Sequence, residues 1–166
     1  MRLVLFDIDG TLLDCGRQVR PWFAAALEEV FGTSGDVDGY DFAGKTDPRI
    51  VVDLMTAAGR TREAALAGVG RVKALYLERL SEGLDASRVR QLPGVVEVVE
   101  RLERRSDVAF GLLTGNWQEG ARVKLAAGGL GGRFAFGAFG DDGLDRDELP
   151  PVALRRAGER HDRSFE

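Results

Sequence analysis

The sequence has one cysteine, Cys15, and one histidine, His161. A lone cysteine excludes an internal disulfide and fits a reducing compartment, so a cytoplasmic location is expected. A zinc site built mainly from cysteine and histidine is excluded on the same count. Long apolar runs are also missing. None approaches the length of a membrane span, and Arg2 leads straight into a short strand-like segment with no signal peptide, so no membrane partner is expected. No block of lysine and arginine stands apart from acidic neighbours. The net charge of −4 is ordinary for a soluble protein and argues against nucleic acid as a partner. No repeat at solenoid periods and no long low-complexity tract is present.

What is present suffices for a packed core. The chain has 166 residues, 44% of them hydrophobic, which suits one domain or one domain with an insertion. Leu3 to Phe6 is an apolar run too short for a helix, closed by the turn residues Asp9-Gly10, and reads as a central parallel strand buried on both faces. Val108 to Leu113, closed by Thr114-Gly115-Asn116, reads the same way, and Phe134 to Phe139 is a third candidate. Between the last two, Trp117 to Ala127 can form a helix with Gly128-Gly129 as its stop. Strand, helix, strand in that order implies a right-handed crossover and an α/β fold with a Rossmann-like parallel sheet.

The stretch from about residue 17 to 90 is patterned differently. Pro21 to Phe31 forms an apolar-rich helical segment ended by Gly32. Asp47-Pro48 offers an N-cap and a first-turn proline for a helix that stops at Gly59. Thr61 opens another, whose Val72, Leu75, Tyr76, Leu77 and Leu80 share a broad apolar face, although Gly68 and Gly70 weaken its first part. The α/β pattern resumes at Leu92-Pro93-Gly94, followed by helical Val95 to Arg105. The organisation expected is an α/β core of residues 1–16 and 91–166, interrupted by a helical insertion at 17–90.

Asp7 and Asp9 carry the chemistry. They lie at the C-terminal end of the first strand, where open α/β sheets bind ligands, and residues two apart share a side. Two anions in one site need a positive partner, and hard carboxylate oxygens suit magnesium. One carboxylate could then attack phosphorus, while the other, kept partly protonated by its neighbour, gives and later takes a proton. Asp9-Gly10 alone would also suit a simple hairpin turn.

The longer string Asp7-Ile8-Asp9-Gly10-Thr11-Leu12-Leu13-Asp14 is more specific, and it resembles the first motif of the haloacid-dehalogenase superfamily. Leu112-Leu113-Thr114-Gly115-Asn116 resembles the second motif, in which a hydroxyl and backbone N–H groups at a strand-to-helix junction hold the phosphate. The resemblance implies a third-motif cation. Arg146 is preferred, being placed just before the helical pattern from Val152; Lys124 is the alternative, and a lysine on a helix is more often solvated. Gly44-Lys45-Thr46-Asp47 resembles the cap segment of phosphoglycolate-phosphatase-like members, which makes Lys45 a candidate for contact with an anionic substrate.

The family implies Asp7 as nucleophile and magnesium ligand, Asp9 as acid–base and ligand, and Thr114, Gly115, Asn116 and a cation as phosphate holders. The partner would be a small phosphorylated metabolite. A fourth motif, expected to complete the magnesium site, is missing before Glu166, and Asp141 and Asp142 correspond poorly to it. Its strand would cover the first one, so Leu3 to Phe6 is expected to form a sheet edge open to self-association. A truncated record of a longer enzyme explains this most simply. Two other readings stay open: a catalytically incomplete domain that binds phosphate or a protein, and a sugar-phosphate mutase. Asp9 argues against dehalogenation, since the family's dehalogenases lack that aspartate.

Overall fold

The computed structural model describes residues 1–165. Strand β1 (Arg2–Phe6) runs parallel to a longer strand, Val108–Leu113, with Arg2 opposite Val108 and Phe6 opposite Leu112. That strand is β4, because a small antiparallel ribbon intervenes in the chain: β2 (Leu13–Asp14) and β3 (Arg90–Gln91). Strand β5 (Gly137–Ala138) completes a parallel sheet of order β1-β4-β5. β4 is the central, buried strand, whereas β1 lies at an edge and is half-buried rather than covered on both faces. β5 is shorter than the Phe134–Phe139 run suggested. Phe134 leaves the strand path to pack edge-on against Phe6 and Phe110, and a Cβ on Gly111 would collide with the Phe136 ring.

Side-chain alternation along the strands feeds two layers. Phe6, Ile8 and Leu112 join a cluster with Val95, Val99, Ala121 and Leu125, which come from helices α4 (Val95–Glu103) and α5 (Gln118–Ala127). Leu5, Leu113 and Ala138 face Leu149, Ala153 and Val152 of helix α6 (Leu149–His161). The α/β fold with a parallel sheet expected from the sequence is the one observed, with helices packed on both faces of the sheet.

Residues 19–83 form three helices, α1 (Val19–Phe31), α2 (Asp47–Ala57) and α3 (Arg62–Gly83), around an apolar cluster of their own. α3 runs unbroken through Gly68, which has no side chain because the Phe31 ring occupies that space. The cap of α2 is Thr46, not Asp47: its hydroxyl accepts from Arg49 N–H at 3.2 Å, and Asp47 takes the first helical position. Trp117, which follows β4, stacks on Phe23 at 6.0 Å and belongs to the helical cluster, so it joins the two halves. The β2–β3 ribbon closes the base where the chain leaves for α1 and returns from α3; Arg90 pairs with Asp14 across it at 2.6 Å.

Candidate active site

The chain turns sharply after β1. Ile8 is fully buried, and its carbonyl accepts N–H bonds from Leu12 at 2.9 Å and Leu13 at 3.0 Å. Gly10 closes the turn at φ 77°, a conformation that favours glycine, and donates to Leu13 O at 2.9 Å. With Ile8 pinned inward, Asp7 and Asp9 face a cavity of about 940 Å³.

From the other side of that cavity comes the end of β4. Thr114 is fully buried, and its hydroxyl accepts from the Asn116 side-chain amide at 2.8 Å. The same Asn116 nitrogen donates to Asp9 Oδ2 at 2.7 Å, and Asn116 Oδ1 accepts from Lys124 Nζ at 2.6 Å. Lys124 continues to Asp9, donating to Oδ2 at 2.8 Å and Oδ1 at 3.0 Å. It is 4% exposed, so it is a buried cation rather than a solvated helix charge. The hint was in the sequence: Lys124 shares a helical face with Ala121 and Leu125, both buried.

Arg146 sits in the short 3₁₀ turn Arg146–Glu148 ahead of α6. Its Nη2 donates to Asp7 Oδ2 at 2.8 Å and to Leu113 O at 3.3 Å. The sequence posed Arg146 and Lys124 as alternatives, but the structure brings both to the carboxylates, one to each. Lys45 borders the cavity, yet its ammonium turns back to Asp41 O and lies 4.6 Å over the Tyr40 ring. Its backbone is the closer partner of the β4 loop: a Cβ on Gly115 would stand 1.9 Å from Lys45 O.

Further polar contacts pin the helices of residues 19–83 to this loop. Asp47 N donates to Gly115 O at 2.8 Å, and the Asp47 carboxylate accepts from Trp117 N at 2.8 Å. Thr46 donates its hydroxyl proton to Leu144 O. Asp141 accepts from Gln118 N at 2.6 Å and pairs with Lys73, while Asp142 is gripped by Arg156 through both carboxylate oxygens at 2.7 Å. Neither aspartate faces Asp7 and Asp9 as a ligand. The capping of α5 by Asp47 was not legible, because it joins residues 70 apart in the chain.

The charges set the proton states. Burial pushes the Asp9 carboxyl up, but Lys124 and the bonds from Lys124 and Asn116 outweigh it and hold Asp9 below the usual carboxylate range. Asp9 is therefore ionised, not partly protonated as the paired-carboxylate argument expected. Burial alone would lower Lys124, yet Asp9, Tyr76 and Asp47 hold it well above the ordinary lysine value. Burial lifts Asp47 to about 7, with Asp9 and Asp141 adding to it against Lys124 and the Trp117 N–H.

Asp7 and Asp9 offer hard oxygen atoms, but they do not make a magnesium site by themselves. Both Asp9 oxygens are bonded to Lys124 or Asn116, and the Asp7 oxygens to Ile8 N and Arg146. Among the described residues no group of three acidic, histidine or cysteine side chains gathers that could hold a metal ion.

A parallel α/β sheet with paired carboxylates beyond the C-terminal end of its first strand presents them where open sheets bind ligands. The family model of haloacid dehalogenase-like hydrolases matches residues 1–161, and the chain belongs to that family. No curated protein matches it. Its fold is similar to a predicted phosphoglycolate phosphatase from Haemophilus somnus, at 19% identity and TM-score 0.60, covering 98% of this chain and 72% of that one. A predicted phosphatase from Clostridium acetobutylicum matches at 16% identity and TM-score 0.63, covering 97% and 70%. A haloacid dehalogenase-like hydrolase from Streptococcus pneumoniae matches at 13% identity and TM-score 0.57, covering 100% and 72%. Among the described residues no helix is long and apolar enough to cross a membrane.

Proposed function

We propose that the chain hydrolyses a small phosphate monoester, of the phosphoglycolate-phosphatase kind, through an aspartyl-phosphate on Asp7. The observation that carries this is the shared cavity: Asp7 and Asp9 open onto it, each met by its own cation, beside the Thr114–Asn116 loop. In this reading residues 17–90 are a cap over a core of 1–16 and 91–166, and Lys45 lies on the rim. Thr114, Gly115, Asn116 and Arg146 hold the phosphate.

An Asp7 oxygen attacks phosphorus, and the bond to the leaving alcohol breaks to give an acyl phosphate. Since Asp9 is ionised at rest, the alcohol's proton comes with the substrate, whose ester phosphate is a monoanion below about pH 6. In the second half Asp9 takes a proton from water as water attacks phosphorus, and the bond to Asp7 breaks. Members of the family generally use magnesium, but no step here passes through a metal.

Release of p-nitrophenol from p-nitrophenyl phosphate, with and without magnesium, tests the reading. Asp7→Asn is expected to lower the rate roughly 10²-fold or more. Equal rates for both proteins would refute it. A second reading, a phosphate-binding domain without turnover, is favoured by the engagement of both Asp9 oxygens. It requires phosphate binding with no release of p-nitrophenol.

A further inference from the structure

Asp7 and Asp9 repel each other and any incoming phosphate unless positive charge stands beside them. A divalent cation doing this would take about six oxygen ligands, one or two of them carboxylates and the rest water and phosphate. Here the oxygens of the pair are already bonded, those of Asp9 to Lys124 and Asn116 and those of Asp7 to Ile8 N and Arg146. Side-chain cations are there instead, Lys124 on Asp9 and Arg146 on Asp7, so the cluster is neutral before any ligand arrives.

The two cations are not equivalent. Lys124 is buried, and its ammonium donates to Asp9 Oδ1, Asp9 Oδ2 and Asn116 Oδ1, which uses all its N–H groups. Arg146 spends only Nη2, on Asp7 and Leu113 O; among the described residues its Nη1 and Nε have no hydrogen-bond partner. Its side chain is 25% exposed and lines the cavity beside Thr114. One cation is fixed; the other has donors to spare.

We propose that Lys124 is the built-in counter-ion of Asp9 and Arg146 the group that takes up a phosphate oxyanion, so that this chain binds phosphate without a divalent cation. The proposal rests on the reading of the cavity as a phosphate site. It deepens that reading by assigning to lysine the charge balance otherwise left to a metal.

Titration calorimetry of the full chain with inorganic phosphate, in EDTA and in millimolar magnesium, tests it. Wild type is expected to bind with the same affinity in both. Lys124→Met, checked for folding by circular dichroism, is expected to bind about tenfold or more weakly in EDTA. Should that variant fail to fold, Asp9→Asn combined with Lys124→Met removes both charges and is expected to bind phosphate in EDTA. Binding by wild type or by the double variant only when magnesium is present overturns the proposal and leaves the phosphate-site reading standing. So does a folded Lys124→Met that binds in EDTA as tightly as wild type. No binding by wild type under either condition overturns both.

Discussion

Lys124 Nζ lies 2.8 Å from Asp9 Oδ2, a buried ammonium held to a carboxylate that is itself 45% exposed to the cavity. That asymmetry separates the position of the charge from its accessibility: the lysine is locked, while the carboxylate still faces incoming ligand. A direct consequence is the titration of Asp9. Its carboxyl carbon, followed by ¹³C NMR, is expected to titrate below the usual range in wild type and at higher pH in Lys124→Met, where the ammonium no longer offsets desolvation. An unchanged midpoint would mean that Lys124 does not set the state of Asp9.

The second prediction concerns Asp47, whose carboxyl is lifted to about 7 from 3.8, chiefly by burial. The folded chain binds this proton more tightly than the unfolded one. Its contribution to stability is thus complete below about pH 4 and is lost as pH rises through about 7. Asn in its place keeps an acceptor for the Trp117 N–H and cannot ionise. Urea midpoints of Asp47→Asn are therefore expected to fall less between pH 5 and pH 8 than those of wild type. A gain on the order of 1 kcal/mol or more at pH 8 is expected. Parallel pH curves for the two proteins would contradict it.

Gly115 carries the third. Its carbonyl accepts from Asp47 N, and any Cβ would meet the Lys45 backbone carbonyl at 1.9 Å. Gly115→Ala must push residues 44–47 off the β4 loop. A folded protein is expected, because the sheet and the helical cluster do not depend on this contact. Phosphate affinity should fall about tenfold or more as Thr114 and Asn116 lose their packing. Unaltered affinity would show that the loop and residues 44–47 are independent.

Much of the architecture could be read from short-range pattern. Val108 to Leu113 is observed as the strand its apolar run indicated, and Thr61 caps α3 as its position implied. Asp7, Asp9 and Thr114 meet because each stands just beyond a parallel strand whose partner is the other's neighbour. Contacts between distant segments were hidden. The β2–β3 ribbon joins residues too few and too polar to show alternation, and the placement of Trp117 in the helical cluster depends on how the halves dock. In the sequence Arg146 and Lys124 stand as alternatives, because a single motif position accounts for a single cation. Two carboxylates at a cavity wall can each take a cation, and here they do.

The central claim is that Asp7 is the nucleophile. Its most direct measurement is acid-quenched turnover of acetyl phosphate or a reactive phosphate monoester, followed by peptide mass mapping. The account predicts the mass of one phosphoryl group on the peptide containing Asp7, lost in Asp7→Asn and retained longer in Asp9→Asn, where hydrolysis of the acyl phosphate lacks its base. Turnover with no phosphoryl group on that peptide, or with the group on another residue, would contradict it.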